Sequence, residues 1–143
     1  MRYLIYFCFL YSSLAWGLDN PDAPNYREEF EARIAPLELY VSEQAITTKE
    51  FIAGYARLER ALDNELNDAY ENLMDQLSDQ DQETLRKSQW HWIKYKESEF
   101  LFIGNVWNQE NYGTSYVISV GEFRTNLIKS RIMVLLSYMK SLF

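Results

Sequence analysis

The sequence predicts an all-α protein, an antiparallel helical bundle built on a long helical hairpin. One apolar stripe repeats at helical spacing between Phe51 and Leu77, over roughly seven turns. A second long helical pattern follows after a short polar break at Ser78, and so short a connection predicts that the two helices are antiparallel neighbours. The alternation of apolar and polar residues that is typical of strands does not occur in the sequence.

Residues 1–17 have the features of an export signal. Arg2 supplies a positive charge, an apolar run follows, and Ala15-Trp16-Gly17 places small residues where a signal peptidase cleaves. The apolar run is too short for a permanent anchor, so no stable membrane insertion is expected after cleavage. A buried first helix is the alternative, which the charged and proline-containing sequence downstream disfavours. We expect cleavage after Gly17 and a periplasmic or secreted protein.

The first part of the mature chain contains a short leader and one helix. Residues 18–25 are expected to be extended because two prolines and several Asn and Asp residues disfavour a helix. A helical domain is expected over residues 26–143. Its first apolar stripe consists of Phe30, Ile34, Leu37 and Val41. Pro36 lies inside this helix and should kink or divide it.

The two long helices have recognisable starts. Thr47 followed by Glu50 is a capping-box pattern and predicts a helix over residues 48–77. Its stripe consists of Phe51, Tyr55, Leu58, Leu62, Leu66, Ala69, Leu73 and Leu77. Ser78 and the acids after it predict the start of the next helix, over residues 79–103. Its apolar face consists of Leu85, Trp92, Ile93, Phe100, Ile103 and Trp107.

A polar loop over residues 108–113 precedes the last helix. This helix is predicted to bury an apolar stripe at helical spacing. The stripe consists of Tyr116, Val120, Phe123, Leu127, Val134 and Tyr138.

The charge balance favours a cationic partner. The chain has 14 basic and 21 acidic residues, a net charge of −7, which becomes −8 on removal of Arg2. Such a charge repels phosphate backbones and anionic lipid, so it disfavours nucleic-acid and membrane-surface roles. The alternative is that the negative charge serves solubility alone.

The residue types that carry most catalytic and metal chemistry are scarce. His91 is the single histidine, and Cys8, the single cysteine, lies inside the predicted signal. A zinc site needs several such ligands, and the sequence has no Gly-x-Ser-x-Gly or phosphate-loop motif. Glu59 and Asp63 could contribute to an all-carboxylate site, but no Glu-x-x-His pair accompanies them. We expect no enzymatic activity, no metal and no cofactor.

Polar residues interrupt both long helices at helical spacing. The first carries a second, half-polar stripe of Asp63, Asn67, Tyr70 and Met74. In the second, Gln89 and Lys96 fall in the middle of the apolar face. A buried amide without a hydrogen bond costs about 1–3 kcal/mol, so Asn67 and Gln89 are predicted to be buried and close together. Tyr70 and Trp92 should pack around them, in a network that either fixes hairpin register or lines a ligand groove.

Two runs of residues resemble the motifs of a known family. Residues 62–70, Leu-Asp-Asn-Glu-Leu-Asn-Asp-Ala-Tyr, are similar to Leu-Asp-x-Glu-Leu-Asn-x-x-Tyr. Residues 85–99 are similar to Leu-Arg-x-x-Gln-x-x-Trp-x-x-Tyr-Arg-x-x-Glu, with Lys96 at the position of the second arginine. Both motifs are typical of the LprI-like lysozyme-inhibitor family. The resemblance is specific over residues 58–99.

The resemblance implies a small exported bacterial protein, and some members of the family are tied to inhibition of host lysozyme. The implied partner is a protein, a cationic lysozyme. Family members commonly have a cysteine after the second motif, where this chain has Phe100, so that disulfide cannot form. The candidate partner-facing acids are Glu65, Asp68 and Glu71, which are expected on the exposed face of the first long helix. The alternative is an envelope structural or adaptor protein without an inhibitory role.

Overall fold

The computed structural model of the chain describes residues 24–142. Within that range the protein is helical and contains no strand, so the predicted all-α fold class is confirmed. The elements are α1 Tyr26–Leu39, a π-helical segment Tyr40–Gln44, α2 Thr48–Met74, α3 Asp79–Val106, α4 Gln109–Tyr112, a 3₁₀ turn Gly113–Ser115 and α5 Tyr116–Ser141. The predicted signal, residues 1–17, and most of the predicted leader lie outside the described residues.

Side-chain caps set the starts of both long helices, as predicted. Thr47 Oγ1 accepts a hydrogen bond from the Glu50 amide at 3.3 Å, and the Glu50 carboxylate accepts from the amides of Thr47 and Ile46 at 2.8 and 3.0 Å. These two backbone bonds hold the pKa of Glu50 below its ordinary value, because they stabilise the ionised carboxylate. Ser78 caps α3 in the same manner, accepting from the Asp81 amide at 3.3 Å.

Pro36 does not divide the first helix. Helix α1 continues through it to Leu39 and leads directly into the π-helical segment. This segment ends where the Ala45 amide donates to the Tyr40 carbonyl at 2.9 Å, and Ala45 itself is extended. The predicted division therefore occurs at Ala45 rather than at Pro36.

The core lies between α2 and α5, which make the most extensive contact between any two elements. The stripe predicted for α2 is largely confirmed, with Tyr55, Leu58, Leu62, Leu66, Ala69 and Leu73 buried. The facing residues of α5 include Ile128, Ile132, Leu135 and Met139. Phe30 and Ile34 of α1 join the same cluster and are almost completely buried. One apolar core therefore unites α1, α2 and α5.

Helices α2 and α5 approach closely because a glycine lies at their contact. A Cβ atom on Gly121 would overlap the Tyr55 ring, so the ring packs directly on the backbone of α5. On another face of α2, a Cβ atom on Gly54 would lie 2.7 Å from Val41 Cγ1. Helix α2 is thus fitted closely against α5 and against the π-helical segment.

Helix α3 runs antiparallel to α2, as predicted, but its backbone is not closely packed against α2. Lys96 Nζ lies 3.4 Å from Asp63 Oδ1, and Gln82 Nε2 donates to the Met74 carbonyl at 3.1 Å. The backbone of α3 has closer contact with α5 than with α2. The pair at the centre of the bundle is therefore α2 and α5, rather than the hairpin of consecutive helices.

The stripe predicted to be buried on α5 is wrong. Phe123, Val134 and Tyr138 are exposed. The helix instead buries Val117, Gly121, Thr125, Ile128, Ile132, Leu135, Leu136 and Met139. Both stripes have helical spacing, and only the observed one places a glycine beneath the Tyr55 ring. Ile93, predicted on the apolar face of α3, is also exposed.

We predict that Gly121→Ala destabilises the protein by about 1–3 kcal/mol, the usual range for an overpacked site. The added methyl group would overlap the base of the Tyr55 ring, which cannot move without shifting α2. The matched control is Gly104→Ala in α3, where a Cβ atom has no neighbour within 4 Å. That control should be neutral or stabilising by up to about 1 kcal/mol. Equal free energies of unfolding for the two variants, measured by chemical denaturation, would contradict the close packing.

Candidate functional site

The predicted contact between Asn67 and Gln89 does not form. Asn67 is exposed and Gln89 is half-buried, so the predicted burial of Asn67 is wrong. The Gln89 Oε1 atom accepts a hydrogen bond from Arg131 Nε of α5 at 3.0 Å, and Ser88 Oγ accepts from Arg131 Nη2 at 3.3 Å. Because the backbone of α3 lies nearer to α5 than to α2, the amide of Gln89 finds its partner on α5. Tyr70 is half-buried and packs against the core.

Cations and aromatic rings alternate where α3 meets the rest of the bundle. Arg131 Cζ lies 6.0 Å from the centroid of the Trp92 ring, and Lys96 Nζ lies 5.5 Å from the same centroid. Lys96 Nζ is also 5.7 Å from the Phe100 centroid, and Arg124 Cζ is 4.1 Å from it. We call these five residues the cation–aromatic ladder. Each such contact contributes about 0.5–2 kcal/mol, depending on its exposure.

Two carboxylates of α2 neutralise the lysine and one arginine of the ladder. Asp63 Oδ1 lies 3.4 Å from Lys96 Nζ, and Glu59 Oε1 lies 3.1 Å from Arg124 Nη2. Burial raises the pKa of Glu59, and the nearby Arg124 opposes that effect. Burial likewise lowers the pKa of Arg131. Both shifts have the same cause, the partial exclusion of water, which disfavours the charged form of each group. The nearby Arg124 offsets part of this effect for Glu59, and Arg131 donates hydrogen bonds to Gln89 and Ser88.

The predicted site residues therefore divide into those in this contact and those outside it. Asp63, Gln89 and Trp92 meet around the ladder and attach α3 to α2 and α5. Asn67 lies outside the contact and faces water.

A groove of about 320 Å³ lies between α1, α2 and the end of α5. It is lined by Tyr26, Glu29, Arg33, Glu65, Asp68, Ala69, Glu71, Asn72, Leu136 and Met139. We call it the acidic groove, because four of these side chains are carboxylates and one is a guanidinium. All three predicted partner-facing acids, Glu65, Asp68 and Glu71, line this groove.

Glu65 is bound by Arg33 and is not a free surface acid. Arg33 Nε and Nη2 donate to the two carboxylate oxygens of Glu65 at 2.7 and 2.8 Å. This hydrogen bonding raises the pKa of Arg33, and the Glu65 side chain is only 15% exposed. The predicted exposure of Glu65 is therefore wrong. Asp68 and Glu71 are exposed as predicted, and neither makes an ion pair with another described residue.

Lys96 interrupts the apolar face of its helix as Gln89 does, but the sequence does not identify the three arginines of these two sites, Arg33, Arg124 and Arg131. Arg124 and Arg131 lie on α5 between the buried and exposed stripes. In the sequence, basic residues at such positions indicate an amphipathic helix and do not identify a partner. Arg33 binds an acid 32 residues away, and no local pattern links the two. The signal for Arg131 was a half-buried amide, Gln89, that needed a partner.

Among residues 24–142, no helix has the length and apolar character needed to cross a membrane. Within the same residues, no three side chains of His, Cys, Asp or Glu come together where they could hold a metal ion.

The chain matches a known protein family. The family described as lysozyme inhibitor LprI matches residues 41–135, about two thirds of the chain. The matched range contains α2, α3, the whole cation–aromatic ladder and the three acids of α2 in the acidic groove. It leaves out Glu29 and Arg33 of α1. No curated protein and no solved structure matches the chain.

We predict that Gln89→Leu costs about 1–3 kcal/mol of stability, because it removes the acceptor of the half-buried Arg131 guanidinium. Asn67→Ala on the exposed side of α2 should change stability by less than about 0.5 kcal/mol. Chemical denaturation of both variants measures the difference. An Asn67→Ala variant as destabilised as Gln89→Leu would show that the two amides share one network after all.

Proposed function

The chain belongs to the LprI family of lysozyme inhibitors, and on that premise we propose that it is an exported bacterial protein that binds and blocks a cationic lysozyme. The observation that carries this proposal is the acidic groove. Asp68 and Glu71 are exposed there without ion-pair partners in the described part of the chain. They are available to a basic side chain of a partner protein.

Electrostatics supports the proposal at two distances. At long range, the net charge of −7 for the full chain, or −8 without Arg2, attracts a basic enzyme and raises the association rate. At short range, the Arg33–Glu65 pair fixes one wall of the groove. Asp68, whose charge also acts on Arg33, and Glu71 are exposed to solvent. Blocking an enzyme in this way requires contact and exclusion of substrate. It requires no catalytic chemistry from the inhibitor, and we propose none.

The association is tested with purified mature protein and lysozyme. Both binding and inhibition of cell-wall lysis should weaken as salt rises, because screening acts over about 8–10 Å at physiological ionic strength. The double variant Asp68→Asn, Glu71→Gln should slow association more than it speeds dissociation. The single variant Arg33→Met tests the Arg33–Glu65 pair apart from Asp68 and Glu71, because it releases Glu65 and leaves every carboxylate of the groove in place.

A matched control removes the same charge elsewhere. Glu43 of the π-helical segment and Glu122 of α5 are exposed, and neither lines the acidic groove. Glu43→Gln, Glu122→Gln should therefore retain most of the inhibition lost by the groove variant. If the two double variants lost inhibition equally, the groove would act only through its share of the net charge and not as a contact site. If the unmodified protein neither binds nor inhibits lysozyme at low salt, the envelope-adaptor function replaces the proposed one.

We also propose that residues 1–17 direct export and are removed, which leaves a periplasmic or secreted protein that starts at Leu18. The support is the sequence alone: Arg2, the apolar run and the small residues that end at Gly17. N-terminal sequencing of the protein from the extracytoplasmic fraction should begin at Leu18. Recovery of the protein only in the cytoplasm with Met1 intact would reject both the signal and the proposed location.

A further inference from the structure

A second pocket, of about 210 Å³, lies where the end of α3 meets the first half of α5. It is lined by Glu99, Phe102, Ile103, Trp107, Phe123 and Leu127. On α5, Leu127 of this pocket and Leu136 of the acidic groove are nine positions apart, which is about 14 Å along a helix. The pocket is therefore a separate feature of the surface.

Three aromatic rings form one side of this pocket. The Trp107 ring centroid lies 5.9 Å from that of Phe102 and 4.7 Å from that of Phe123, with interplanar angles of 85° and 60°. Trp107 is the first residue after α3, and its amide donates to the Ile103 carbonyl at 2.9 Å. Phe102 and Phe123 remain 55% and 42% exposed. The inclined rings thus surround an open space instead of filling it.

The carboxylate of Glu99 adds an uncompensated charge to these rings. Glu99 is half-buried, and it makes neither an ion pair nor a side-chain hydrogen bond within the described residues. Two cations of the ladder form ion pairs with other acids, Arg124 with Glu59 and Lys96 with Asp63. Among residues 24–142, no basic side chain forms an ion pair with Glu99.

We propose that this aromatic pocket binds a lysine or arginine side chain of a protein partner. A cation within about 6 Å of a ring centroid is attracted by the π electrons, and a carboxylate at the same site adds a charge-assisted hydrogen bond. A neutral apolar side chain would satisfy the rings but would leave Glu99 desolvated without a partner, which is unfavourable. The pocket has the size of one side chain, and its exposed phenylalanines offer contact area to the residues beside it.

The pocket is tested by nuclear magnetic resonance on the mature protein, through the indole N–H signal of Trp107. The signal is assigned by its loss in Trp107→Phe. Capped Gly-Arg-Gly peptide is titrated against capped Gly-citrulline-Gly, which has the same shape without the charge. The arginine peptide should shift the signal and bind at least about tenfold more tightly than the citrulline peptide. Equal affinities, or no shift with arginine, would overturn the proposal.

Two variants and one small probe complete the test. Glu99→Gln should weaken the arginine peptide about tenfold, whereas Glu97→Gln, which removes an exposed acid of α3 outside the pocket, should leave its affinity unchanged. Similar losses of arginine-peptide affinity in both variants would overturn the role of Glu99.

Methylguanidinium should bind more weakly than the arginine peptide, because the peptide backbone and neighbouring residues also contact the exposed rings. The opposite order would indicate a site for free small cations. Lysozyme is absent from this experiment, so its outcome is independent of the acidic groove.

Discussion

The close contact of α2 with α5 determines the arrangement of the other helices. The Tyr55 ring lies on the backbone of α5 where Gly121 has no side chain, and this contact fixes which side of α5 faces inward. Once α5 is oriented, its buried stripe supplies one wall of the core and α1 closes another through Phe30 and Ile34. The remaining side of the α2–α5 pair is left for α3. The acidic groove forms where α1 meets this pair, and the aromatic pocket forms where α3 meets α5.

Helix α3 is attached by a different kind of contact. Only Leu85 and Ile103 of its 28 residues are buried, and Trp92 and Phe100 pack partly buried against the core. The cation–aromatic ladder, with Asp63 and Glu59, adds polar contacts that share these half-buried rings. A helix held in this way leaves much of its apolar surface in water, which is why Phe102 and other large side chains of α3 remain exposed.

Local features of the fold could be predicted from the sequence, and the pairing of its helices could not. The capping patterns at Thr47 and Ser78 are contained in a few consecutive residues. Periodicity also identifies a helical face, as on α2. Periodicity does not identify which of two apolar stripes faces a neighbouring helix. On α5, the predicted stripe containing Phe123 is partly exposed, and the other stripe is buried. The long-range Arg33–Glu65 bond defines a wall of the candidate site, yet neither residue signals the other in the sequence.

The absence of cysteine from residues 24–142 has a consequence for where the domain is able to fold. Phe100, which receives both Lys96 and Arg124 on its ring, stands where members of this family commonly have a cysteine. Residues 24–142 contain no cysteine, so no step in forming this structure waits for a thiol to be oxidised or a mispaired bridge to be exchanged. Cation–ring attraction is the same in reducing and oxidising surroundings. Folding of the helical domain consequently does not depend on the thiol–disulfide balance of its surroundings, and the domain needs neither a thiol oxidase nor a disulfide isomerase to reach its native form.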